Sequence, residues 1–167
     1  MSQLTMTDIA KLPAYDLLVL HARIINELRS RGITRSANNT VGDLGEYLFC
    51  KAFNWEQAGS SKPNLDAVDS EGNRYQIKAR RLTHHNTSRQ LSAIRDLHGN
   101  HFDMLAGVLF REDFGVLRAA LVPRAVVVDN ARFQQRTNSH RFLLQDNIWD
   151  MQGVRDVTEE LRAVDLR

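Results

Sequence analysis

Between Asn64 and Arg80 the chain reads NLDAVDSEGNRYQIKAR, and this stretch limits the fold more than any other. Side chains on a strand alternate between faces, so Arg74, Gln76, Lys78 and Arg80 share one face while Tyr75, Ile77 and Ala79 share the other. The second set is apolar and belongs to a core. A turn containing Gly72 separates this run from a shorter one around Asp66, which predicts two adjacent strands of a hairpin. Asp66 has apolar neighbours on both sides, where a carboxylate is costly unless paired, solvated or metal-bound. Register decides what it meets. Asp66 faces Gln76 or Lys78 only if paired residue numbers add to 142 or 144, as a three- or five-residue connection allows; a four-residue connection without a bulge sets it opposite Ile77.

Helical periodicity precedes the hairpin. From Ala14 to Arg31, Leu17, Leu20, Ile24, Ile25 and Leu28 recur at three- and four-residue spacing, with Pro13 in a first-turn position and Gly32 after the end. A second helix is expected from Thr40 through Leu44, Leu48 and Ala52, with Thr40 and Asp43 forming a capping box. GITRSANN is a polar connection and AGSSKPN a loop. After THHNTS, the spacing in RQLSAIRDL predicts a short amphipathic helix, followed by the apolar strands FDMLAGVLF and VLRAALV, the latter ended by Pro123. RAVVVDNARFQ is expected to be helical, HRFLLQ a strand, and VTEELRAV a helix capped by Thr158. The order is that of an α/β or α+β domain with a central mixed β-sheet flanked by helices.

One core suffices for 167 residues, so a single domain over 1–167 is expected, with an N-terminal helical extension at about 1–37. The composition, 43% hydrophobic and 25% charged, is that of a globular chain, and MLAGVLF and AVVV fall far short of the ~20 residues of a membrane span. The first residues carry no secretory pattern, and Cys50 is the single cysteine, which together favour the cytoplasm. In EYLFCKAF, Cys50 reads as a small hydrophobe on a helix. Net charge is only +2, but from Arg74 to Arg95 six basic residues occur with no acid, which is either a phosphate-binding footprint or a solvated basic face. His84 and His85 lack a third ligand nearby in sequence and read as loop residues.

On a wheel of about 100° per residue, Glu46 falls at the edge of the apolar stripe formed by Val41, Leu44, Leu48 and Ala52, with Asp43 turned further towards solvent. A glutamate on a helix, an aspartate on a strand and Gln76-Ile77-Lys78 on the next strand together resemble the PD-(D/E)xK nuclease superfamily, in a Q-x-K variant, over about residues 38–122. Two departures stand out: Leu65 rather than a proline precedes Asp66, with Pro63 earlier, and Gln76 occupies the usual acid position. The resemblance implies a restriction-endonuclease-like core and a Mg²⁺- or Mn²⁺-dependent DNA endonuclease, of restriction or defence type. It implies Glu46, Asp66, Gln76 and Lys78 as catalytic residues, and Asp66, Gln76 and the Ile77 carbonyl as metal ligands. Arg80, Arg81 and Arg89 would contact phosphates of the DNA partner, and cutting both strands suggests a homodimer. Two alternatives differ in class: a non-catalytic nucleic-acid-binding module that keeps the fold, and a structural domain in which Asp66 and Lys78 form a cross-strand ion pair.

Overall fold

The computed structural model describes residues 9–59 and 64–166. Pro63, noted above for its place before Asp66, lies outside the described residues. Helix α1 spans Ala14–Ser30 and α2 spans Thr40–Phe53; β1 (Glu56–Gln57), β2 (Ala67–Val68) and β3 (Arg74–Arg81) follow. Then come β4 (Met104–Phe110), β5 (Val116–Pro123), α3 (Arg124–Asn130), the pair β6 (Arg132–Gln134) and β7 (Ser139–Arg141), β8 (Arg155–Asp156) and α4 (Thr158–Arg162). The main sheet has the order β1-β2-β3-β4-β5-β8, with β3 and β4 parallel and the other neighbours antiparallel. The expected mixed α and β domain is therefore observed.

Both faces of the sheet are covered. On one, Leu44, Leu48 and Phe49 of α2 and Leu161 of α4 pack against Ile77, Ala106, Val108 and Ala119. On the other, Leu91, Ile94, Leu97, Phe142 and Leu144 cover Leu105, Leu109, Ala120 and Val122. Gly45 lets α2 lie close to the sheet, since a Cβ there would stand 2.9 Å from Ala79 Cβ and 3.3 Å from Val108 Cγ1. Trp55 stacks on Tyr75 with ring centroids 3.7 Å apart, and the Tyr75 hydroxyl donates to Asp69 Oδ2 at 2.9 Å. That stack ties the end of α2 to the hairpin. The α1 helix projects more freely: Ile25 is buried, whereas Tyr15, Leu18 and Ile24 are exposed.

Several local expectations are corrected, among them the helix expected over RAVVVDNARFQ, which ends at Asn130 and gives way to β6. Residues 89–97 are not helical. Gln90 and Ile94 form isolated bridges with Leu143 and His140, and Ile94 exchanges both backbone hydrogen bonds with His140 at 3.0 and 2.7 Å. Leu91, Ile94 and Leu97 are still buried at three-residue spacing, so the apolar signal was genuine while pairing to a distant segment replaced helical bonds. The N-cap of α2 is Asn39 rather than Thr40: its side chain accepts from Gly42 N, leaving Asp43 for another task. At α4 the cap is Val157, and Thr158 is the first helical residue; its hydroxyl instead meets Asp156 Oδ1 and the Ala119 N–H.

Candidate active site

The hairpin connection between β2 and β3 is residues 69–73, one of the lengths that brings Asp66 towards Gln76. Asp69 closes it by accepting from the Glu71 and Asn73 N–H groups at 3.0 and 2.9 Å, and Gly72 supplies the positive φ of 85° that the turn requires. Ala67 pairs with Tyr75 and Val68 with Arg74, a register that would set Asp66 opposite Gln76, but the Asp66 N–H donates to the Tyr75 carbonyl at 2.9 Å, one residue short of it. The regular ladder stops there. If it continued, the Ile77 N–H would bond to the backbone of residue 65; it donates instead to Asp66 Oδ2 at 2.6 Å. The carboxylate thus replaces a strand carbonyl at the open end of β2. Because the N–H and C=O of one strand residue point to the same edge, the Ile77 carbonyl is turned to this gap as well.

Gln76 is 1% exposed, and its Oε1 has no hydrogen-bond partner. It is one of four buried side-chain atoms without a partner among the described residues, with Thr34 Oγ1, His140 Nδ1 and Arg141 Nε, and as an acceptor it can take a water or a cation. Lys78 follows on the same face, beside Gly107 of β4, and has no hydrogen-bond or ion-pair partner among the described residues. The expected alternative of an Asp66–Lys78 ion pair is not formed. Asp66 is engaged with a backbone amide instead.

Glu46 comes to this site from α2. Arg35 Nη2 and Gln57 Nε2 both donate to its Oε2, the latter at 2.8 Å. Burial, and then the charge of Asp66, push the Glu46 carboxyl above the ordinary range, while Arg35 acts in the opposite direction. The two acids therefore sense one another. One turn further on, burial and the Glu46 charge push the Cys50 thiol up to about 11, which keeps it protonated and unreactive at neutral pH. Asp43 does not face solvent as expected. It is buried, accepting from the Arg35 and Ser36 N–H groups and the Ser36 hydroxyl at 2.9, 2.6 and 2.8 Å, because the α1–α2 connection folds back over the first turn of α2.

The basic stretch divides. Arg74 is committed to Asp103, with Nη2–Oδ1 at 2.8 Å and Nε–Oδ2 at 3.1 Å, and to the Asn100 carbonyl. Arg80 lies on the Lys78 face and donates to the Ser88 carbonyl at 3.3 Å. Arg81, on the opposite face, donates to the Glu112 carbonyl and lies 4.3 Å over the Phe114 ring. Arg89 pairs with Asp146 at 2.6 Å. His84 reaches the Glu112 carboxylate from the loop.

Sequence reasoning thus singled out Glu46, Asp66, Gln76, Ile77 and Lys78; of these Asp66 meets the Ile77 N–H and interacts with the charge of Glu46, whereas the Gln76 and Lys78 side chains lie on the other face of β3 from Ile77, the face of Leu105. It missed Arg35 and Gln57, which hold Glu46. Among the described residues no three His, Cys, Asp or Glu side chains converge, so any cation site here draws on amide and carbonyl oxygens beside two carboxylates. No helix among them is long and apolar enough to cross a membrane. No family model and no curated protein matches the chain.

Proposed function

We propose that the protein is a metal-dependent DNA endonuclease of the PD-(D/E)xK type, a Q-x-K variant on a restriction-endonuclease-like core, that hydrolyses phosphodiester bonds with Mg²⁺ or Mn²⁺. The observation that carries the proposal is the carboxylate that ends β2, held on the Ile77 N–H and close enough to Glu46 for the two charges to interact, with the buried, unpartnered Gln76 Oε1 on the preceding residue of β3. This donor set fits a hard cation, which takes oxygen ligands and retains several waters. Asp66, Gln76 and the Ile77 carbonyl would hold it. Bound there, the cation would neutralise phosphate charge and make a water more acidic.

The remaining work falls to side chains. Lys78, a charged donor without an internal partner, would stabilise the charge that develops on the scissile phosphate. Glu46 keeps Oε1 free of any hydrogen bond among the described residues while Oε2 is held, so it can orient a water. Arg80 would contact the DNA backbone from the Lys78 face, whereas Arg81 and Arg89 would have to exchange internal partners for phosphate. Cutting both strands requires two sites or successive nicks, and a two-fold dimer meets the first requirement.

Supercoiled DNA incubated with Mg²⁺, Mn²⁺ or chelator tests the reading, using methylated and unmethylated substrates. Metal-dependent nicking that disappears in Asp66→Asn supports it; wild type inactive on every DNA counts against it. A second reading, a nucleic-acid-binding module without turnover, is favoured by the internal partners that Glu46 and Asp66 already have. It predicts salt-sensitive DNA binding without nicking.

A further inference from the structure

Arg35 belongs to the α1–α2 connection, and its place is fixed by contacts that do not involve its side chain. Its own N–H and the Ser36 N–H and hydroxyl all donate to Asp43 Oδ2, which pins the connection to α2 three residues before Glu46. From there the guanidinium reaches Glu46 Oε2. Gln57 Nε2 donates to the same oxygen at 2.8 Å, so Glu46 stays oriented without the arginine. The Arg35 side chain is 49% exposed and that of Glu46 15%, which puts the arginine on the solvent side of the pair, free to leave it.

Two carboxylates in a shared space need a cation. Among the described residues, the cation paired with either Glu46 or Asp66 is Arg35. We propose that Arg35 is a displaceable counter-ion: it neutralises Glu46 while no divalent cation is bound, and on metal entry it releases Glu46 and pairs with a phosphodiester of the nucleic-acid substrate. The guanidinium fork matches two phosphate oxygens as well as it matches a carboxylate, so the exchange conserves charge-assisted hydrogen bonds. With Gln76 in place of an acid, the site has less charge to attract metal, and handing Arg35 to the substrate restores the free charge of Glu46 when DNA is present. Metal and DNA then promote each other's binding, and the coupling is reciprocal. This inference rests on the nuclease reading.

The test is Mn²⁺ binding by the loss of its free paramagnetic signal, with and without a short DNA duplex, in wild type, Arg35→Gln, Arg35→Lys and Asp66→Asn. DNA affinity is measured in Ca²⁺ across a salt series. Arg35→Gln is expected to bind Mn²⁺ about threefold to tenfold more tightly than wild type without DNA, the size of one neighbouring charge at a partly exposed site. It should lose most of the DNA-dependent gain in metal affinity and about one unit of the salt slope for DNA. Arg35→Lys, which keeps the charge, should bind Mn²⁺ as wild type does. Unchanged Mn²⁺ affinity and salt slope in Arg35→Gln, beside an Asp66→Asn variant that no longer binds Mn²⁺, would overturn the counter-ion role and spare the nuclease reading. Arg35→Lys behaving like Arg35→Gln would also overturn it. Wild type and Asp66→Asn alike failing to take up Mn²⁺ with DNA present would overturn both.

Discussion

Replacing Gln76 by leucine should make the protein more stable and inactive. Gln76 is 1% exposed and its Oε1 lacks a partner, a state that costs about 1–3 kcal/mol for a buried acceptor. Leucine removes the acceptor and adds apolar surface beside Leu105, the neighbour of Gln76 on β4. Taking about 2 kcal/mol as the middle of that range and allowing up to about 1 kcal/mol for the poorer fit of a branched side chain leaves a net gain of about 1–2 kcal/mol. A domain of this size shifts its Tm by about 2–4 °C per kcal/mol, so in chelator the variant should melt about 2–8 °C above wild type. Cation should reverse the comparison in part. At ten times its Kd a ligand stabilises the folded state by about 1.4 kcal/mol, so Mg²⁺ should raise the wild-type Tm by about 3–6 °C and that of Gln76→Leu by much less. Circular dichroism melts at pH 7, with chelator or with Mg²⁺, supply both numbers. Gln76→Leu melting below wild type in chelator and gaining as much from Mg²⁺ would show that the amide oxygen neither bears a penalty nor meets the metal.

Gln76→Glu restores the acid of the family pattern and should lower the metal concentration needed for cleavage, read from a Mn²⁺ titration of nicking; a wild type inactive on all DNA beside a variant that cuts would instead favour the module without turnover. Lys78→Ala should slow single-turnover cleavage on the order of 10²–10³-fold, the cost of removing one donor to a developing oxyanion, while DNA affinity changes little; cleavage at the wild-type rate would remove Lys78 from the chemistry. Gly45→Ala places a methyl 2.9 Å from Ala79 Cβ, and overpacking should exceed the ~1 kcal/mol helix-propensity gain, lowering stability in urea by about 1–2 kcal/mol. Hydrogen bonding to Arg74 holds the Asp103 carboxyl below the usual range, so its contribution to stability is present above the unfolded pKa and is lost as pH falls through the folded one. Asp103→Asn should accordingly destabilise at pH 7, by a difference that begins to shrink as pH falls below about 4 and vanishes only below the folded pKa, in urea titrations across that range.

What was legible in the sequence follows the reach of each signal. Alternation along Arg74–Arg81 is local, and it placed Gln76 and Lys78 on one face of β3, where both lie. The hairpin was nearly as accessible, because its register depends only on the length of one short connection. The segment 89–97 shows the limit of that logic: Leu91, Ile94 and Leu97 record that a face is buried, but the same spacing fits a helix and an extended crossover, and the choice was made by His140 and Leu143, about fifty residues on.

The site itself divides along the same line. Asp66 and Ile77 meet because two adjacent strands bring them together, and a strand pair can be inferred from pattern. Arg35, in the α1–α2 connection, and Gln57, in the two-residue strand β1, each lie eleven residues from Glu46 in stretches too short or irregular to show periodicity, and they converge on one oxygen only after Asp43 has folded the connection back and the Trp55–Tyr75 stack has fixed the end of α2. Residues that carry out a reaction leave a motif because chemistry restricts their types, whereas residues that hold a charge in readiness can come from any loop that passes near it. The same freedom bears on Glu46, the weakest member of the motif when read alone: two converging donors and a nearby like charge single it out in the fold, and none of the three is written in the helix that carries it.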